Sequence, residues 1–115
     1  MAYTDKFQNM ANDARSRVEE VLPEQVDALI AKGAIALDIR DKEEHDIDHI
    51  PGSLNISRGK LEMLVESNIP DIDSTILCYC NAINRGALSA DSLRAMGYSN
   101  AKFIVGGLIA YRALG

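Results

Sequence analysis

The chain has 115 residues, 47% of them hydrophobic and 25% charged, which suits one domain with its own core and is too short for two. Its net charge of −5 argues against a nucleic-acid partner, because phosphate binding needs a dense basic surface; an anionic substrate would need a local field. Met1 to Arg17 carries Asp5, Lys6, Asp13, Arg15 and Arg17 and no apolar run of signal-peptide length, so a cytoplasmic chain with no membrane partner is expected. The two cysteines, Cys78 and Cys80, are separated by one residue, which gives neither a disulfide framework nor a zinc site.

Residues 1–16 are polar and read either as a frayed helix or as a loose arm, with the main domain spanning 17–115. Arg17 to Leu22 reads as a first strand, and Pro23 fits the first turn of a helix, where its missing N–H costs nothing. Val26, Leu29 and Ile30 share a face of that helix, which stops at Gly33. Ala34 to Ile39 is a buried strand that emerges at Asp38-Ile39-Arg40. Asp41 to Asp48 contains five acids and His45 and reads as a short surface helix. His49-Ile50-Pro51-Gly52 is a turn signal before a short strand, Ser53 to Ile56. Arg58 and Lys60 follow at a strand exit, where they serve either anion attraction or solubility. Leu61 to Val65 suggests a helix, and 70–74 a loop.

Thr75 to Tyr79 is a continuous apolar run and reads as a strand covered on both faces. From Arg85 the apolar residues recur at helical spacing until Gly97 ends the helix, leaving Asn81, Ala82, Ile83 and Asn84 as the connection. If that connection curls around the sulfur of Cys80, backbone N–H groups and the positive end of the helix face it. Arg85 adds a permanent charge, and such surroundings favour a thiolate. Cys78 shares the face of Cys80 by period two and reads as a resolving thiol or as a small core residue. Ala101 to Val105 forms a last strand, Gly106-Gly107 a tight turn, and Leu108 to Leu114 a closing helix with nothing chemical in it. In an open α/β sheet ligands collect beyond the carboxyl ends of the strands, so Arg40 and Cys80 are expected on one functional edge.

Four segments carry a family resemblance: Cys80 to Arg85 with its helix, Leu37 to Arg40 with Glu44, Asp48 to Ile56, and Gly106 to Tyr111. In that order, and over residues 18 to 112, the chain resembles a single-domain rhodanese. The resemblance implies a three-layer α/β/α domain with a mostly parallel sheet of about five strands. It implies a sulfurtransferase in which Cys80 attacks a small sulfur donor (thiosulfate, a persulfide or a polysulfide), becomes a persulfide, and passes the outer sulfur to cyanide or a thiol. Backbone N–H groups of Asn81 to Arg85 would hold the negative charge. No metal and no organic cofactor is implied; a protein could serve as sulfur donor or acceptor. Asp38, Arg40, Glu44 and His49 are expected as structure near the site, with Glu44 four residues after Arg40 as its salt-bridge partner and His49 as turn architecture or a proton carrier. Arg58 is a candidate for substrate binding.

The loop departs from the better-known form of the motif. Ala82 and Ile83 are apolar, Gly86 stands where a serine or threonine is common, and Arg85 is the only charge inside. A dianion would be poorly attracted, so a less charged donor is expected. Two alternatives remain at this point: a sulfur-carrier or interaction module, favoured if Ile83 is exposed, and a phosphatase or arsenate reductase, whose loop on this fold is one residue longer.

Overall fold

The structure, a computed structural model, describes residues 3–115. Five parallel strands form one sheet in the order β1-β5-β4-β2-β3. They are β1 Glu19–Val21, β2 Ile35–Asp38, β3 Leu54–Asn55, β4 Ile76–Tyr79 and β5 Ala101–Ile104. Among the described residues six α-helices accompany them: α1 Asp5–Arg17, α2 Val26–Ala31, α3 Lys42–Ile47, α4 Leu61–Asn68, α5 Asn84–Ala95 and α6 Gly107–Ala113. The expected three-layer α/β/α domain is the one observed.

The central strand explains the two cores. All of β4 is buried, and its side chains alternate between the faces of the sheet. Ile76, Cys78 and Cys80 join Leu61, Val65, Ala87, Ala90 and Leu93 on the side of α4 and α5. Leu77 and Tyr79 join Val26, Ile50 and Leu108 on the side of α2 and α6. A strand covered on both sides has no face for polar residues, which is why its sequence runs apolar without a break. At Gly86 an added Cβ would lie 3.4 Å from both the Cys78 oxygen and the Tyr79 Cα, so this small residue lets α5 press against the strand that delivers Cys80.

The N-terminal segment departs from the expectations. Arg17 ends α1 rather than opening a strand, and β1 is only Glu19–Val21. From Asp5 onward the polar stretch is helix, begun by Thr4, whose Oγ1 accepts from the Phe7 N–H at 3.2 Å, as N-cap residues do. Ala11 and Ala14 are buried and Arg17 forks onto Asp91 of α5 at 3.0 and 2.8 Å, so it is not a loose arm there; the first two residues lie outside the described ones. Phe7, Met10, Ala11 and Ala14 stand at the i, i+3, i+4, i+7 spacing of one helix face, so a helical signal was present, though it is a weak one because two of the four are alanines. No helix among the described residues is long and apolar enough to cross a membrane.

Candidate active site

In register, Leu37 of β2 pairs with Cys78 and Asp38 with Tyr79, so the chain leaves both strands at the same edge and places Arg40 beside Asn81. The connection after Cys80 is three residues, Asn81 to Ile83, because Asn84 already begins α5. Among the described residues no acceptor takes the backbone N–H groups of Asn81 to Gly86, and the first bond of this run is Ala87 N–H to the Ile83 oxygen at 2.9 Å. Two carbonyls at the start of the turn, by contrast, have partners. Leu108 and Ile109, in the first turn of α6, donate to the Cys80 and Asn81 oxygens at 2.9 and 3.2 Å. Carbonyls already engaged and amides without a protein acceptor are what a backbone nest offers to an anion.

Gly107 makes that close approach possible. Its φ is +56°, and a Cβ there would collide with the Cys80 carbonyl oxygen and crowd the Ala82 oxygen and the Asn81 carbonyl carbon, so only glycine fits. The closing helix thus shapes the loop although its own side chains carry no chemistry. The double glycine at 106–107 was the available signal.

Cys80 is 4% exposed and Cys78 fully buried, both as free thiols. Burial pushes the Cys78 thiol up to about 12, which disfavours the thiolate form that a nucleophile needs. Tyr79, between them, faces the other way. Its hydroxyl accepts from the Ile50 N–H at 3.1 Å and shares a hydrogen bond with Ser53 at 2.8 Å, which pins the turn at His49 to Gly52 against β4. Burial pushes this phenol, too, up to about 12. Nothing in the sequence distinguished Tyr79 from an ordinary core aromatic.

Two ion pairs support the loop, and neither is the expected one. Arg40 does not pair with Glu44. It folds inward onto Asp38, with Nη2–Oδ2 at 2.7 Å and Nε–Oδ1 at 2.9 Å, and donates to the Asp48 carbonyl at 2.6 Å. Glu44 turns toward α5 and meets Arg85 at 3.2 and 3.4 Å, while its Oε1 accepts from the Asp41 N–H at 3.3 Å. An i,i+4 spacing favours pairing only when both residues are helical, and Arg40 precedes α3. The Arg85 hydrogen bonds hold the Glu44 carboxyl below the usual carboxylate range, against the opposing effect of burial.

Asn81 joins the pairs, accepting from Arg40 Nη1 at 3.0 Å and donating to Glu44 Oε2 at 3.1 Å. His45 donates from Nδ1 to Asp38 at 2.9 Å. His49 stacks on His45 with centroids 3.9 Å apart and donates from Nδ1 to the His45 carbonyl at 2.8 Å. Asp48, whose carbonyl holds Arg40, uses its carboxylate on Arg112 of α6 at 2.6 and 3.0 Å. Arg58 pairs with Glu62 at 2.8 Å, and no hydrogen bond or ion pair links it to the loop among the described residues. Ile83 is half-buried against the core rather than exposed, which removes the feature that favoured an interaction module; Ala82 is the exposed residue of the loop.

Residues 22–114 match the model of the rhodanese-like domain. The chain belongs to the rhodanese-like family. The thiosulfate sulfurtransferase GlpE of Pseudomonas entomophila (strain L48) is 31% identical over 98 residues, covering 85% of this chain and 88% of that protein. The human single-domain sulfurtransferase TSTD1 superposes with a TM-score of 0.78 at 23% identity, over 85% of this chain and 98% of that one, a likeness of rhodanese fold alone. A protein of unknown function from Rhodopseudomonas palustris CGA009, described as a possible tyrosine phosphatase, superposes with a TM-score of 0.87 at 29% identity, over 100% of this chain and 95% of that one.

Proposed function

We propose that this sulfurtransferase of the rhodanese type carries sulfur on Cys80, and that the loop from Asn81 to Arg85 is the cradle for the charge. The observation that carries the reading is the set of unpaired N–H groups from Asn81 to Gly86, beginning at the residue after a buried thiol and including the first turn of α5. Such donors stabilise negative charge most where water is excluded, and Arg85 adds its guanidinium from within the same run.

The Cys80 thiolate attacks the outer sulfur of the donor. A Cys80–sulfur bond forms as the donor's sulfur–sulfur bond breaks, and sulfite leaves when the donor is thiosulfate. Attack by cyanide or a thiolate on the terminal sulfur of the Cys80 persulfide then releases thiocyanate or a new persulfide and restores the thiolate. Asn81, Ala82, Ile83 and Asn84 would bind the transferred sulfur through their backbone; Arg58, paired with Glu62 at the surface, would serve through its charge alone. Asp38, Arg40, Glu44 and His49 act as supports. Two free cysteines suit a reducing compartment, and we place the protein in the cytoplasm.

A phosphatase activity, the description attached to the Rhodopseudomonas palustris protein, is disfavoured by the Cys80 to Arg85 span, one residue shorter than the phosphatase form of this loop. The test is intact mass after thiosulfate, with thiocyanate release on adding cyanide, in wild type, Cys80→Ser and Cys78→Ser. The expected result is a gain of one sulfur atom and turnover in wild type and Cys78→Ser, and neither in Cys80→Ser. Retention of the mass gain by Cys80→Ser overturns the assignment, and hydrolysis of an aryl phosphate without sulfur loading overturns the function.

A further inference from the structure

The family match begins at residue 22, so α1 stands outside it, yet α1 is fastened to the helix that closes the loop. The amides of Gln8 and Asn84 bond each other in both directions, Asn84 Nδ2 to Gln8 Oε1 at 3.2 Å and Gln8 Nε2 to Asn84 Oδ1 at 3.4 Å. Asn12 accepts from the same Gln8 nitrogen at 2.9 Å. Asn84 is the first residue of α5, directly before Arg85, and only 9% exposed. A buried amide engaged at both ends has one satisfied orientation, and turning it leaves polar groups without partners. Fixing Asn84 therefore fixes the first turn of α5, whose N–H groups stand unpaired. A cleft of about 240 Å³ runs between Gln8, Ala11 and Asn12 on one side and Ala82, Ile83 and Asn84 on the other. Water in that cleft would compete for Asn84 if Gln8 let go.

We propose that Gln8 is a positioning residue for sulfur transfer: through Asn84 it sets the first turn of α5, and with it the N–H donors and Arg85 that stabilise charge on Cys80. The inference deepens the proposed function and rests on it, but part of its test does not require a sulfur donor. The experiment measures single-turnover sulfur loading from thiosulfate, Cys80 alkylation by iodoacetamide, and thermal melting in wild type, Gln8→Ala, Gln8→Met, Asn84→Ala and Gln8→Ala/Asn84→Ala. Gln8→Ala should slow loading about tenfold, less than the roughly 10²-fold cost of a 1 Å misplacement, with donor KM unchanged and alkylation slowed in parallel. Gln8→Met, which keeps the volume and loses the amide, should match it. The double variant should be no slower than Asn84→Ala, since a residue acting only through another adds nothing once that one is gone. Lower melting temperatures with unchanged loading and alkylation would overturn the proposal, and so would effects that multiply in the double variant. If wild type loads no sulfur the proposed function fails, while the alkylation rates still decide the role of Gln8.

Discussion

Beneath the loop, Asp38 and Arg40 form a pair shut away from water, 0% and 4% exposed, whereas at its mouth Glu44 and Arg85 form one that is about a third exposed, 34% and 37%. Both reach the same side chain, Asn81, so one loop is held from below by a buried pair and from above by a half-open one. The physics of the two differs. A buried pair has already given up its hydration, so removing one partner strands the other and costs far more than the pair contributes. An exposed pair is screened and contributes little to stability, which leaves its charges free for chemistry. The lower pair is accordingly a foundation and the upper one a device for setting charge at the sulfur.

The largest expected effect lies on the lower pair. Asp38→Ala strands the Arg40 guanidinium and removes the acceptor of His45, and should destabilise the fold by about 3–5 kcal/mol, measured by chemical denaturation. Burial pushes the Asp38 carboxyl up, but hydrogen bonds from Arg40 and His45 outweigh it and leave the group below its ordinary value. A depressed carboxylate contributes its stability in full above its unfolded value of about 3.9 and loses it as pH falls through the folded one. Wild type should therefore lose stability below about pH 4, and Asp38→Asn should lack that part of the acid dependence. A loss under about 1 kcal/mol in Asp38→Ala would erase the contrast between the pairs.

That contrast was only half legible in the sequence. The sheet, the strand exit at Cys80 and the turn into α5 followed from a continuous apolar run, a short polar break and a return to helical spacing, all of them local signals. Four residues apart, Arg40 and Glu44 suggested each other; Arg40 instead turns back on Asp38, two residues before it at the end of β2, and only the adjacency of β2 and β4 brings Glu44 within reach of Arg85 in α5. For the same reason the support given by Gln8 and Tyr79 was invisible, since their partners Asn84 and Ser53 lie at least 26 positions away; at Gly107 the tight turn could be read, but not its close approach to Cys80. The site's chemistry can be read along the chain; what holds it in place is read across the fold.

A smaller effect, on rate rather than stability, is expected at the upper pair. Arg85→Ala should lower sulfur loading by about 10²-fold, as removal of one donor to a developing charge does elsewhere, while stability changes by no more than about 1 kcal/mol. Arg85→Lys should restore only part of the rate, because an ammonium cannot reproduce the planar fork that Glu44 now engages twice. Stopped-flow loading beside thermal melts separates the two quantities. Proportionate loss in both would make Arg85 a strut like Arg40 and remove the division of labour between the pairs.

The smallest effect concerns donors, and it tests whether Glu44 sets charge as well as geometry. With its carboxyl held ionised by Arg85, Glu44 offsets the one cation of the loop, in a protein of net charge −5. Thiosulfate brings two negative charges into the cradle on one small ion, whereas an organic persulfide brings one at its reacting end, so wild type should use glutathione persulfide better than thiosulfate. Glu44→Gln keeps the hydrogen-bonding shape and removes the charge. It should raise kcat/KM for thiosulfate roughly fivefold relative to the persulfide, the scale of about 1 kcal/mol appropriate to a pair this exposed. Raising ionic strength should shrink that advantage, as screening confines repulsion to about 8 Å under physiological conditions. If both donors gain equally, or both lose, Glu44 serves only to orient Arg85, and the preference between donors arises elsewhere in the cradle.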